Sequence, residues 1–296
     1  MNGVLVVDKP AEFTSFDVVA VVRRLSGQRK IGHTGTLDPN ATGVLPLLLG
    51  NTTRAQDIIP NHDKEYVAEF RLGITTDTLD IWGEVKSERK SVVTKSEIDN
   101  IIKKYTGEIE QIPPMFSAVS VNGQRLYDLA RKGVEVERKP RKITVYELEL
   151  LGFDENSQSG SIRVKCSRGT YIRTLIDDIG AELGSGAVMT TLRRTMACGF
   201  ELSGALTLDE IIKLSQSGEL EGKLMSTESL FYSYPELYVT DAQAKRFYNG
   251  GELDCSRTRL ADKNVADGSI YRIKGAGSFL GLGIIKENNI KIYKRF

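Results

Sequence analysis

Apolar residues at Phe16, Val19, Val22 and Leu25 follow the capping pair Thr14-Ser15 and stop before Gly27, predicting a helix with those four on its inner face. From Tyr66 the period changes to two. Tyr66, Ala68, Phe70 and Leu72 alternate with Val67, Glu69 and Arg71, as in a half-buried strand. Thr94 and Glu97 are spaced as a capping box ahead of Ile98, Ile101, Ile102 and Tyr105. Residues 143–153 and 161–167 read as two further strands, and Ile172, Leu175, Ile176, Ile179 and Leu183 form a helical stripe closed by Gly184. Another helix opens at Thr207 with Glu210 as its partner.

Strands and helices are interspersed without strict alternation, which predicts an α+β fold with a mostly antiparallel sheet flanked by helices. The pattern resets at Ser233-Tyr234-Pro235. Beyond it come one capped helix, opening at Thr240 with Gln243, and short strands punctuated by glycine. The division is therefore 1–235 and a small, mostly β unit at 236–296.

The 296 residues are 40% apolar and 27% charged, as in an ordinary soluble protein, and no apolar run approaches the roughly 20 residues of a membrane span. The start, MNGVLVVDKP, lacks the features of a secretory signal, so a cytoplasmic location is expected. Cys166, Cys198 and Cys255 form no Cys-x-x-Cys pair, and with only His33 and His62 no His/Cys metal cage is expected. The net charge of +1 hides local clusters: Arg23-Arg24 with Arg29-Lys30, the stretch 131–142, and Arg163, Lys165, Arg168 and Arg173. Each is either a phosphate-binding patch or a solvated face balanced by nearby acids.

The stretch Gly32-His33-Thr34-Gly35-Thr36-Leu37-Asp38-Pro39-Asn40-Ala41-Thr42-Gly43 is the most informative. Its glycines relax the backbone and let a substrate come close, and Pro39 pushes Asp38 out of the α region. An aspartate so held is a nucleophile, a base or a turn-capping side chain. Asp38-Pro39-Asn40-Ala41-Thr42 superficially matches the loop of haloacid-dehalogenase-type phosphatases. Those loops follow an apolar strand and carry a second carboxylate, where this chain has His33-Thr34-Gly35-Thr36 and Asn40.

Read with its neighbours, this loop resembles that of the TruB-type tRNA pseudouridine synthases. The likeness runs through Asp8-Lys9-Pro10 with Thr14-Ser15, the loop itself, Lys64-Glu65-Tyr66, and Thr76-Asp77-Thr78 with Asp80 and Gly83. It continues in Pro113-Pro114-Met115-Phe116-Ser117-Ala118, Leu126-Tyr127, Arg168-Gly169-Thr170-Tyr171-Ile172-Arg173 and Leu192-Arg193-Arg194. Two positions depart from it. Glu12 stands where the family usually has glycine, so a turn needing positive φ would have to be rearranged, and Ser120 stands where lysine is frequent.

The resemblance implies the pseudouridine-synthase fold and isomerisation of uridine 55 in the T-loop of tRNA, without metal or cofactor. It implies Asp38 as nucleophile, attacking the ribose C1′ or the uracil ring, and Arg173 as the guanidinium that favours its charged form. A cation in the first turn of a helix opposes the dipole, which suits a functional rather than a structural arginine. Tyr66 would stack on the base and take the C5 proton, Tyr171 would be the second tyrosine of the site, and Leu192 would line the uracil pocket. His33 would fill space around the extruded nucleotide, Lys9 would bind substrate or support the site from behind, and Arg141 would lie in the basic part of an RNA-closing insertion around 120–142. Extruding the base costs a few kcal/mol, offset by phosphate contacts and stacking. The tail resembles a PUA-like RNA-binding domain, with the tRNA T-arm and acceptor stem as partner, no obligate protein partner and a monomeric state. Two other readings share these motifs: a non-catalytic RNA-binding protein, and the guide-RNA-dependent synthase of ribonucleoprotein particles.

Overall fold

The centre of the molecule is made of strands that the two-residue period does not mark. In the computed structural model, which describes all residues except 122, 262 and 276, Gly3–Lys9, Thr42–Leu49 and Ala187–Ala197 enter a nine-stranded sheet. Leu5 and Val7 face one hydrophobic core while Val4 and Val6 face another. A strand buried on both sides reads as a continuous apolar run.

The sheet runs Gly3–Lys9, Thr42–Leu49, Ala187–Ala197, Lys64–Leu72, Ser159–Cys166, Arg141–Asp154 and Gly107–Gln111. Ile31–His33 and Phe200–Glu201 pair onto it from the side. Every pairing is antiparallel except that of Thr42–Leu49 with Ala187–Ala197, which is short and parallel. The α+β, mostly antiparallel architecture is the one expected.

Helices Lys95–Ile101 and Ile172–Glu182 cover one end of the sheet, burying Ile98, Ile172, Leu175, Ile176 and Ile179 against Ala68, Phe70 and Ile162. Ser15–Ser26 and Leu208–Gln216 cover the other end. The expected capping boxes at Thr94, Thr207 and Thr240 form, and Thr14 makes a fourth with Asp17. The inner face of the first helix differs from expectation: Val18, Val19 and Val22 are buried, whereas Phe16 is 70% exposed.

Residues 112–140 leave the sheet after Gln111 and return at Arg141, its neighbour on the adjacent strand. This excursion carries a small hairpin, Ser120–Val121 with Gln124–Arg125, and the helix Leu126–Ala130. The charged stretch around it is partly self-neutralised, with Arg138 3.2 Å from Glu135 and Lys142 2.8 Å from Glu108. Arg163 lies near Glu65, Glu147 and Glu149, and Lys165 near Glu147, so these two members of the cluster sit on a balanced solvated face.

After Pro235 the chain builds a separate five-stranded sheet with its own core around Leu237, Phe247, Ile273, Ile285 and Ile290. It does not stand free. Phe231 stacks with Phe296 at 5.2 Å, Leu282 joins Val4 and Val6 in one cluster, and the Arg272 guanidinium lies 2.8 Å from Glu228.

Candidate active site

Asp38 sits in a loop held from behind. Its main-chain carbonyl accepts from Ala41 N at 3.1 Å, closing the turn, and its carboxylate takes no part in that closure. Lys9 is fully buried, and its ammonium donates to the carbonyls of Pro10, Phe13 and Pro39. It therefore braces the loop, with its ammonium turned to three main-chain carbonyls. Burial pulls the Lys9 amine down to about 8, against the opposing charge of Asp38. Ser15 pins the preceding residue, its hydroxyl accepting from Leu37 N at 2.9 Å.

Arg194, also fully buried, carries the other flank. Its guanidinium donates to Val44 O at 2.7 Å and Gly35 O at 3.1 Å. Gly43 lies against this strand at φ 105°, where a Cβ would meet Arg194 O at 2.2 Å, so only glycine fits. Gly35 is needed less strictly: a Cβ there would press on the Lys64 side chain at 3.2 Å. Within the loop, then, glycine serves protein packing as much as access for a ligand.

Arg173 is the second residue of the Ile172–Glu182 helix and is 5% exposed. Its Nε lies 2.9 Å from Asp38 Oδ2, while Nη1 donates to Thr78 O at 2.8 Å and Nη2 to Phe116 O at 2.9 Å. One guanidinium thus ties together the Asp38 loop, the Thr78 turn and the base of the 112–140 excursion. Asp80 is 3.9 Å from the same Nε and accepts from the Thr78 hydroxyl at 2.7 Å; burial raises its carboxyl above the usual range. The Asp38 side chain remains 40% exposed.

Asp38, Tyr66, Tyr171, Arg173 and Leu192 line one cleft of about 270 Å³, with Lys64 and Ser117 at its sides. Tyr66 comes from the Lys64–Leu72 strand, directly opposite Arg194. Burial pushes its phenol up to about 12, with Arg194 pulling the other way, so the hydroxyl stays protonated at neutral pH. Gln111, 3% exposed, clamps the Tyr171 backbone by accepting from its N–H at 2.7 Å and donating to its carbonyl at 3.0 Å.

Two candidates stand apart. His33 is not part of the cleft wall; it packs edge-on to Phe16 with ring centroids 5.5 Å apart, and its Nδ1 is buried without a hydrogen-bond partner. Burial and the Arg194 charge keep this imidazole below its ordinary pKa. Arg141 is exposed at the start of its strand beside the excursion and outside the cleft. Gln111 and the positioning roles of Arg194 and Lys9 have no period or spacing that announces them. A second cleft of about 440 Å³, with Phe116 and Thr174 in its wall where the first has Ser117 and Arg173, is lined by Asp77, Asp177 and Asp178.

Comparison with known proteins adds to this geometry. Residues 23–172 match the family model of the N-terminal domain of TruB family pseudouridylate synthases. Residues 173–231 match that of the C-terminal domain of tRNA pseudouridylate synthase B. The boundary between the two falls in the first turn of the Arg173 helix, so it separates sequence segments and not folded bodies. A protein of Clostridium kluyveri named tRNA pseudouridine synthase B is 40% identical over 297 residues, covering 100% of both chains. One of Clostridium tetani with the same name is 42% identical over 99% of each. Among solved structures, an H/ACA RNP bound to a substrate RNA containing 2′-deoxyuridine matches with a TM-score of 0.74 at 25% identity, over 99% of this chain and 84% of that one. A Cbf5-Nop10-Gar1 complex matches at 0.72 and 26%, with the same coverage. A full-length likeness at this identity and a family model spanning half the sequence leave one assignment: the chain belongs to the TruB family of pseudouridylate synthases, which are isomerases.

Proposed function

We propose that this protein converts uridine 55 in the T-loop of tRNA to pseudouridine, with Asp38 as the nucleophile. The observation that carries the reading is the Asp38 carboxylate, partly exposed in a cleft and held through one oxygen by a buried arginine at 2.9 Å. Its second oxygen has no hydrogen-bond or ion-pair partner among the described residues, which leaves its lone pairs free for attack.

Attack by that oxygen on the ribose C1′ breaks the N1–C1′ bond and leaves uracil as an anion, while attack on the ring gives an adduct from which the same bond cleaves. Either route ends when C5 bonds to C1′, the carboxylate departs, and C5 loses its proton to restore the ring. Nothing is oxidised and no water is consumed overall. Tyr66, protonated in the resting site, offers a ring face to the base and a hydrogen bond. The C5 proton then passes to the released Asp38 carboxylate, directly or through the Tyr66 hydroxyl, which gives up its own proton to that carboxylate as it takes the one from C5. Arg173 holds the nucleophile's orientation, and Leu192 and Tyr171 supply the apolar walls that exclude water.

The target base must leave its stack to reach a cleft of this size. In this reading the 112–140 excursion, tethered through Phe116 to Arg173, closes over it. Residues 1–235 carry the chemistry in this account, and 236–296 bind RNA beyond the T-arm. The likeness to a protein named tRNA pseudouridine synthase B at 40% identity, against 25% to the ribonucleoprotein neighbour, favours a tRNA enzyme over a guide-dependent one, and in this reading it works as a cytoplasmic monomer. Incubation of the protein alone with unmodified tRNA, followed by mapping of pseudouridine, tests this. Modification at position 55 without guide RNA is the expected result; product elsewhere, or none, overturns it.

A further inference from the structure

Phe16 is the most exposed aromatic ring of the described residues at 70%, yet it lies on a helix fixed by a capping box and by buried Ser15, Val18, Val19 and Val22. Its chain neighbour Ser15 is 1% exposed and pins Leu37, the residue before Asp38. His33 meets the Phe16 ring at an interplanar angle of 81°, which fixes the ring edge-on while leaving it open to solvent. The buried His33 Nδ1 beside it has no partner. A lone exposed phenylalanine is ordinary by itself. Here the ring is oriented, stands beside the reactive loop, and begins a charged stripe.

Arg23 follows Phe16 by seven residues, two helical turns or about 10 Å along the same side, with exposed Ala20 between them. Arg24 is next to it in the chain and Arg29 and Lys30 follow just past the end of the helix; all are exposed, and among the described residues none of the four cations has a carboxylate within 4.0 Å. This contrasts with the Arg163 face, where the acids are present. The acids nearest Phe16 in the chain are Asp17 and Glu12. Asp17 is committed to the capping box through Thr14 N and its hydroxyl.

We infer that this helix face is a track for the RNA strand leading away from the reacting uridine, with Phe16 as a stacking platform for one unpaired base and the Arg23 cluster as its phosphate-binding end. The inference rests on the RNA-modifying reading above and assigns the chain a substrate-positioning residue outside the cleft. Aromatic rings beside cations hold single strands in this way because every base has a π face and every linkage a negative charge.

The test uses the full chain and a fluorescent T-arm hairpin, with affinity read by anisotropy and turnover measured separately. Phe16→Ala is expected to weaken binding about tenfold, within the range for losing one base–aromatic stack, and to act on KM more than on kcat. Phe16→Trp should restore affinity, whereas Phe16→Leu, apolar but without a π face, should behave like alanine. Hairpins with single abasic sites should locate the partner, since the Phe16→Ala penalty should vanish at one loop position. Arg23→Gln with Arg24→Gln should reduce the dependence of log K on log salt by about 0.7 for each phosphate no longer neutralised. Binding by Phe16→Ala within twofold of wild type, or a leucine variant as good as wild type, overturns the platform; an unchanged salt slope overturns the track. Wild-type protein that binds the hairpin but forms no pseudouridine sinks the functional reading while the binding comparison still decides the role of Phe16.

Discussion

Glu12 adopts φ 64° in the turn after Lys9-Pro10, a conformation in which a side chain is strained and glycine is not. Glutamate in place of glycine predicts a different turn at this point. Instead the positive φ is retained and the strain is borne by an exposed residue, because Lys9, fastened to Pro10 O and Phe13 O, fixes the path on both sides. Glu12→Gly should therefore stabilise the protein by about 0.5–1 kcal/mol, and Glu12→Val destabilise it by ~1 kcal/mol. Urea denaturation of the two variants checks the order; a glycine variant less stable than wild type would show that Glu12 makes a contribution outweighing its strain. At this scale Asp38, Tyr66, Arg173, Tyr171 and Leu192 were legible only through motif likeness, and they converge on one cleft. For Lys9 the sequence left two roles open, ligand contact and support from behind, because nothing in a sequence distinguishes a lysine that faces a ligand from one that faces three carbonyls; its burial fits the second.

Among the elements, amphipathic helices and half-buried strands were readable because each has one wet face. The Tyr66 strand, the Ile162 strand and every helix with a capping box belong to that class. The strands Gly3–Lys9 and Thr42–Leu49 were not, being covered on both sides, and they are the ones that carry the Asp38 loop. Phe16 misled for the opposite reason: it has the right spacing for a core face but lies beyond the edge of what that face covers. The helix holding Arg173 also carries Asp177 and Asp178 toward the neighbouring acidic cleft. Burial and the Asp177 charge push the Asp178 carboxyl up to about 6. Between its ordinary value near 4 and that value, the folded state binds more protons than the unfolded one, so stability falls as pH rises through this window. Asp178→Asn should flatten that fall and raise the melting temperature at pH 7. Thermal scans from pH 4 to 7 decide it; a variant that melts lower than wild type at pH 7 would mean the carboxylate has a partner that stabilises its charge.

For the whole molecule, the break at Pro235 in the sequence pattern marks a change of sheet and the start of a second core, but one apolar cluster runs across it. Phe231, fully buried, stacks on Phe296 and packs at a tilt against Phe279, and the buried Glu228 pairs with Arg272 and Lys274 across the junction, with Glu236 as the second acid. A chain ending at Pro235 would expose that ring and leave Glu228 unpaired, and we expect it to lose about 3 kcal/mol or more. The intact chain should unfold in a single transition; two separate transitions would show that the tail is an independent body. Because truncation disturbs the core, a fall in RNA affinity on removing the tail has meaning only beside a stability measurement. The central claim is about one oxygen of one side chain. The direct measurement is pseudouridine formed by Asp38→Asn on unmodified tRNA, with affinity for the same RNA determined in parallel. The amide keeps the size of the side chain and cannot act as nucleophile, so product should be undetectable while affinity stays within a few-fold of wild type. Turnover within about tenfold of wild type would contradict the account and remove Asp38 from the chemistry.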